Sequence, residues 1–369
     1  MKLDNRLPFP ALAFRQFDMN GDLDCVVSMR ATFLHRQDEV PDIASEQEPF
    51  HYEDVYGGDP HKTPLLKQSD LTPEKPGTDV TYLGTSWAPG GQPSKSWVAS
   101  IKVGDLSKEV GVCGERFWHP VVKEKWAGFK AKEPLRVIAD WKLSEPAEVL
   151  SVPICWSKAF GGEIPGTADE QAGIPIDVDR RNPLGCGIVS LEMPHDTQPV
   201  PAPQITKPGY KLDWKDRPQP EAFGPMSPWW ITRHQYAGTY DGDYVEKRHP
   251  LLPEDFDARF WMCAHPDLAC PSFLKGDEAY ELTNLDQVNA VARGRLPDLT
   301  FGVRCQIGER DEWTVLRLDG IHFDWRNDNR IVMTWRARFP LPEAVGAELT
   351  LTRVSVKSRP ADNLVGETA

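Results

Sequence analysis

Arg330-Ile331-Val332-Met333-Thr334-Trp335-Arg336-Ala337-Arg338-Phe339 alternates along its whole length. Ile331, Met333, Trp335 and Ala337 fall on one side of an extended chain, and Val332, Thr334, Arg336 and Arg338 fall on the other. A period of two is the side-chain repeat of a β-strand. An apolar set facing away from a mixed set predicts a strand buried on one face. Near the other end, Val27, Met29, Ala31 and Phe33 alternate with Val26, Ser28 and Arg30, and Thr32 adds a β-branched residue.

Between these two stretches, short apolar segments recur with Gly, Pro, Asp or Asn at their ends. They are residues 79–83, 96–103, 108–113, 135–141, 149–156, 312–318, 321–325 and 348–356. Such spacing predicts a mainly β protein of two packed, sandwich-like antiparallel units with few short helices. The 34 prolines reinforce this, because proline lacks an amide hydrogen and breaks helices. Two stretches interrupt the pattern. Residues 41–76 are polar and aperiodic and read as loop. Residues 194–225 carry prolines at 199, 201, 203, 208, 218 and 220. They suggest a linker or ordered crossover over 196–222, between an N-terminal unit (1–195) and a C-terminal unit (223–369). A short helix is expected from Pro253 to Trp261, where proline and acids open the segment. The tail after Lys357 reads as frayed.

Asp18-Met19-Asn20-Gly21-Asp22-Leu23-Asp24 resembles the start of a calcium loop, but Leu23 and Met29 stand where such a loop needs glycine and a bidentate glutamate. A hairpin with Asn20-Gly21 at its corner fits better. Net charge is −13 from 42 basic and 55 acidic side chains. That balance suits solubility and a positively charged partner. It gives no basic face for nucleic acid, since the stretch Lys123–Lys132 is interrupted by Trp126 and Phe129 and reads as a solvated edge. The seven cysteines are odd in number and scattered, as expected of reduced thiols. No signal-like or membrane-spanning apolar run occurs, so a cytoplasmic protein without membrane contact is expected.

Catalytic motifs are scarce. Gly185 and Gly187 are followed by Ser190, which spoils a dinucleotide fingerprint. Cys263, His265 and Cys270 are too widely spaced for a structural zinc site and lack a second pair, so no metal or cofactor is expected. Acidic pairs such as Glu254/Asp255 and Asp241/Asp243 leave open a sugar-active or hydrolytic β enzyme, with Asp241 and Asp257 as its acids.

A series of Gly/Pro/aromatic motifs is more informative. In order they are Lys75-Pro76-Gly77-Thr78-Asp79-Val80, Gly114-Glu115-Arg116-Phe117-Trp118, Ala159-Phe160-Gly161-Gly162, and Asn182-Pro183-Leu184-Gly185-Cys186-Gly187. Then follow Phe223-Gly224-Pro225, Ala237-Gly238-Thr239-Tyr240-Asp241 and Leu252-Pro253-Glu254-Asp255-Phe256-Asp257-Ala258-Arg259-Phe260. The series, spanning roughly Asn5 to Pro342, resembles an adaptor family of bacterial type VI secretion systems first catalogued as a domain of unknown function. Its departures are Glu115, where the family usually has Asp, and a less typical stretch at Trp261–Pro266.

The resemblance implies a non-enzymatic role. Such adaptors bind a toxin effector through a PAAR-like domain or an adjacent segment, keep it soluble and pass it to the spike protein. An adaptor of this kind needs an edge or groove with aromatic and arginine anchors. Arg116, Trp118, Trp229, Trp230, Tyr236, Tyr240 and Arg248 are the candidates for effector contact. For the tryptophans, plain packing is the competing reading, and Trp87, Trp141, Trp156 and Trp335 read as core. Gly77, Asp79, Gly161, Gly162, Asn182, Gly185 and Gly238 read as framework. Asp241, Arg248, Asp257 and Arg259 suggest a buried ion network, with client contact the alternative. A structural part of the secretion apparatus is a third reading.

Overall fold

A computed structural model of the chain describes residues 2–126, 134–163, 168–169, 174–175, 178–190, 198–307, 309–341 and 348–354. The tail after Lys357, and parts of the basic and proline-rich stretches, lie outside the described residues. The strands of the two largest sheets are β1 (Ala11–Phe17), β2 (Leu23–Leu34), β3 (Asp79–Trp87), β4 (Ser96–Val103), β5 (Leu106–Cys113), β6 (Ser151–Ile154), β7 (Ile205–Thr206), β8 (Ala279–Thr283), β9 (Val291–Arg295), β10 (Arg317–Asp324) and β11 (Arg330–Pro340). A seven-stranded sheet runs β6-β3-β10-β11-β2-β1, with Asp42–Ile43 paired to the end of β2. Its pairings are antiparallel except β3 with β10. A five-stranded antiparallel sheet runs β7-β5-β4-β8-β9. The α-helices among the described residues are α1 (Ile231–His234) and α2 (Gly242–Lys247).

The mainly β, antiparallel expectation stands, and among the described residues no sheet closes into a barrel. The boundaries 1–195 and 223–369, however, do not separate the sheets. β3 pairs with β10 from the far half, β2 pairs with β11, and β4 pairs with β8. Long-range pairing between the two ends of the chain builds the framework, so residues 196–222 do not divide two sheet units. Two expected elements also differ. The stretch 312–318 breaks at Leu316 into Arg310–Val315 and β10. No helix starts at Pro253: a single 3-10 turn forms at Ala258–Trp261 behind Asp257.

The hairpin between β1 and β2 forms as its sequence predicts. Asp18 Oδ1 accepts from the amides of Asn20 and Asp22 (both 2.8 Å), and Gly21 takes φ +90°, which favours glycine. Along β2 and β11, Val27, Met29, Ala31, Phe33, Ile331, Met333 and Trp335 are buried in the main core. Ala99, Ile101, Val103, Val110 and Val112 of the second sheet belong to the same core.

The second face corrects the one-sided expectation. Ser28, Arg30, Thr32, Val332 and Arg336 are buried too. The irregular segment 41–76 supplies the polar partners that make this possible. Arg30 donates to Glu48 (3.2 Å), Asp70 (2.6 Å) and the Pro49 carbonyl (2.7 Å), while Arg336 donates to Asp319 (2.5 Å). Burial opposes ionisation of Glu48, but the hydrogen bond from His51 and the charges of Lys67 and Arg30 prevail and hold its carboxyl low. Arg30 and Arg336 therefore mark an inner polar layer here, not a wet face, while Arg338 farther along β11 is exposed.

Candidate protein-binding face

The motif Lys75–Val80 belongs to that inner layer. Asp79 begins β3 and is 2% exposed. Its Oδ2 accepts from Lys75 Nζ and from the Cys263 amide (both 2.8 Å), and its Oδ1 accepts from the Ala264 amide (3.1 Å). One carboxylate thus ties the first strand of the motif to the backbone that follows the Ala237–Phe260 block. Gly77 is required by close approach, since a Cβ there would meet the Cys270 carbonyl oxygen at 1.9 Å.

The next motifs are framework as well. Asn182 is fully buried, and its Nδ2 donates to the carbonyls of Trp156 (2.8 Å) and Phe160 (3.0 Å). Its own carbonyl accepts from the Gly162 amide (2.8 Å). Gly161 and Gly162 take positive φ, as does Gly238, and Gly185 presses against the Asn182 side chain.

Of the residues expected to touch a client, several are enclosed. Trp118 (4% exposed) packs with Ile188 and Ala202 under the Phe117–Lys125 and Leu135–Leu143 strands. Trp230 is fully buried edge-on to Trp156, with ring centroids 5.3 Å apart. Neither offers a surface, because Trp118 on its strand and Trp230 at its turn each fill a satellite apolar cluster. Trp229 is half-buried beside His61. Arg116 is half-buried and donates from Nε (3.1 Å) and Nη2 (2.9 Å) to the Pro203 carbonyl. Both contacts hold local structure.

Tyr236, Tyr240 and Arg248 are brought together in one surface module, residues 236–261. Asp241 caps α2 by accepting from the Tyr244 amide (2.9 Å), and α2 buries none of its residues. Tyr240 and Tyr244 meet edge to face at 4.7 Å. Tyr240 is 55% and Val245 is 65% exposed. Asp255 accepts from both the amide (2.9 Å) and hydroxyl (2.7 Å) of Thr239, and these bonds hold its carboxyl below the usual range. The Arg259 guanidinium lies over the Tyr236 ring at 4.3 Å and pairs with Asp257 (2.6 Å), whose pKa that hydrogen bond lowers. Arg248 donates to the carbonyls of Leu252 (2.7 Å) and Met19.

The expected buried ion network is therefore absent from Asp241, Arg248, Asp257 and Arg259. Their bonds are caps, a backbone clamp and one exposed pair, because the module lies on the outside of the sheets. Asp241 and Asp257 are engaged in separate caps, and Asp257 is held ionised. The lowered pKa of Asp257 is the reverse of what a general acid needs. With Asp243, Glu246, Glu254 and Asp255 beside them, the module presents acids and a tyrosine pair to solvent.

One group of possible metal ligands occurs among the described residues. Glu221, His265 and Asp267 each bring a ligand atom within 4.8 Å of the others. The buried Lys108 ammonium already pairs with Glu221 and with Asp267 (3.1 Å), so it fills the position of a cation. Burial and the neighbouring Lys108 push His265 down to about 4, and Asp267 opposes them. Cys263 and Cys270 take no part in this group.

The place of β1 as the outermost strand of its sheet among the described residues was not read from the sequence. Its signal was the first half of the hairpin: once Asn20-Gly21 is a corner, the residues before it pair with β2. No helix among the described residues is long and apolar enough to cross a membrane. A family described as an uncharacterized protein conserved in bacteria (DUF2169) matches residues 20–336. No curated protein and no solved structure matches the chain.

Proposed function

This chain belongs to the bacterial DUF2169 family, and from that premise we propose that it is a non-enzymatic adaptor-chaperone in the cytoplasm. It binds a toxin effector through a PAAR-like domain or the segment beside it, keeps the effector soluble and delivers it to the type VI spike. The motif resemblance supplies the class of client. The observation that carries the reading is the placement of the most specific motif block. Residues 236–261 form an exposed face with Tyr240, Tyr244 and Val245 among acids, a surface suited to a basic, partly apolar partner. Asp241 and Asp257, the acids of the hydrolase alternative, are engaged in a helix cap and with Arg259, which gives that alternative no support there.

Co-expression with the PAAR-like or toxin protein encoded beside the gene, followed by size-exclusion chromatography, tests this. The expected result is a soluble effector that co-elutes at fixed stoichiometry. An effector that is soluble alone and elutes apart at about micromolar concentration, roughly the affinity scale of a transient complex, would sink the adaptor reading for that client.

A further inference from the structure

The two edges of the seven-stranded sheet are finished differently. At one end, β6 is four residues long and contains Pro153, which has no amide to offer. The register places Val149, Ser151 and Pro153 with their backbone groups pointing outward, and Ser94 already exchanges both hydrogen bonds with Val149 (3.0 and 3.1 Å). This edge is short, interrupted and partly capped, as protected edges are.

At the other end, β1 runs for seven residues without proline. Arg30 N donates to the Pro10 carbonyl, and Asp18 N donates to the Asp22 carbonyl. In the alternating antiparallel pattern, Leu12, Phe14 and Gln16 then bond β2, and Ala11, Ala13, Arg15 and Phe17 aim their N–H and C=O groups outward. Among the described residues none of these outward groups has a hydrogen-bond partner. Ala11 and Ala13 pack on the main core, Phe17 is 53% exposed, and Arg15 is exposed with no ion pair among the described residues. The strand also lies ahead of residue 20, where the family match begins.

We propose that the β1 edge binds an extended segment of a partner polypeptide as an added strand. Backbone groups of Ala11, Ala13, Arg15 and Phe17 would supply the ladder, and a carboxylate of the segment would lie opposite Arg15. Only another extended backbone matches that row of alternating donors and acceptors. The exposed Arg15 guanidinium, which has no ion pair among the described residues, selects an acidic residue at the facing position, because opposite charges across a ladder attract and like charges repel. The same rule disfavours a second copy of this chain. Two-fold pairing centred on residue 14 or 15 brings the two Arg15 side chains together on one face. Centring on Ala13 would run the partner's end into Phe9, which is buried. The proposal rests on the adaptor reading and assigns the client a second contact, at a distinct place from the 236–261 face.

The test uses the full chain co-expressed with the neighbouring PAAR-like effector. Hydrogen exchange over residues 11–17 is expected to slow roughly tenfold or more in the complex. Arg15→Glu, a surface change, is expected to weaken co-elution by about tenfold, one order in the dissociation constant. Ala13→Pro removes an outward amide but no bond to β2, and is expected to weaken it further. Unchanged exchange, with Arg15→Glu and Ala13→Pro both co-eluting as wild type, overturns the edge proposal and leaves the adaptor reading standing. A wild-type chain that captures no effector fails the adaptor reading, and the edge proposal falls with it. A wild-type dimer in the absence of effector that Arg15→Glu alters would show a second copy on the edge, which also overturns the proposal.

Discussion

Lys75–Asp79 and Asp257–Arg259 are both carboxylate–cation pairs within motifs of the same series, and the fold uses them in opposite ways. The side chains of Lys75 and Asp79 are 8% and 3% exposed, and Asp79 holds two further backbone amides. Those of Arg259 and Asp257 are 60% and 37% exposed, and Arg259 lies over the Tyr236 ring. The first pair lies in the joint between the two ends of the chain. The second shapes a face that solvent, or a partner, can reach. A motif residue is therefore framework or contact according to how much of its hydrogen-bonding capacity the fold has already used.

The comparison breaks most visibly at Asp79. Asp79→Ala leaves a buried ammonium and two buried amides without their acceptor. Loss of one partner of a buried pair costs about 3–5 kcal/mol. A urea midpoint far below wild type is expected. A midpoint within experimental error of wild type would mean that Lys75 finds another partner and that the joint is not held there.

An intermediate effect is expected from pH, which separates the inner layer from the surface module. His322 bonds Thr81 through Nδ1 (2.9 Å) on the buried polar face, and burial pushes its pKa down to about 4. Between the ordinary histidine value near 6.5 and about 4, the unfolded chain binds more protons at this site than the folded one. Stability therefore falls as pH is lowered through that window, by roughly 1–3 kcal/mol from this group. Glu48 acts in the same direction at lower pH, since its lowered carboxyl contributes stability that is lost as the solution becomes more acid. Urea melts at pH 7, 5.5 and 4 should show the decline. His322→Gln, which cannot become charged, should flatten its upper part, and an equally steep decline in that variant would remove His322 as its source.

How much of this was legible follows from what alternation can and cannot encode. The period of two in residues 330–339 and 26–33 located β11 and β2, and Asn20-Gly21 located the hairpin. The same pattern suggested a wet second face, because Arg30 and Arg336 look like solvent-facing cations until Glu48, Asp70 and Asp319 are seen opposite them. Those partners come from an aperiodic loop and from β10, and no local signal links them. Pairing between distant strands was likewise hidden, so a proline-rich stretch was read as dividing units that share both major sheets. The framework roles of Asp79, Asn182 and the glycines were readable from residue type. Which tryptophans were surface was not, since Trp118 and Trp230 sit beside turns yet fill satellite cores.

The smallest effect on stability, and the sharpest use of the comparison, is expected at the outer pair. Arg259→Ala removes an exposed ion pair and a cation held over Tyr236, while the Asp257 cap on the 3-10 turn can remain. Exposed pairs trade little Coulomb energy against side-chain entropy and solvent screening. The melting temperature should therefore stay close to wild type, with none of the loss expected for Asp79→Ala. Effector co-elution should nevertheless weaken, because Arg259 orients the Tyr236 ring on the face proposed to meet the client. The two readouts separate the roles. A destabilised Arg259→Ala would make this pair framework like Lys75–Asp79. A stable variant that binds as wild type would place the client contact away from Tyr236, toward Tyr240 and α2 or onto the β1 edge.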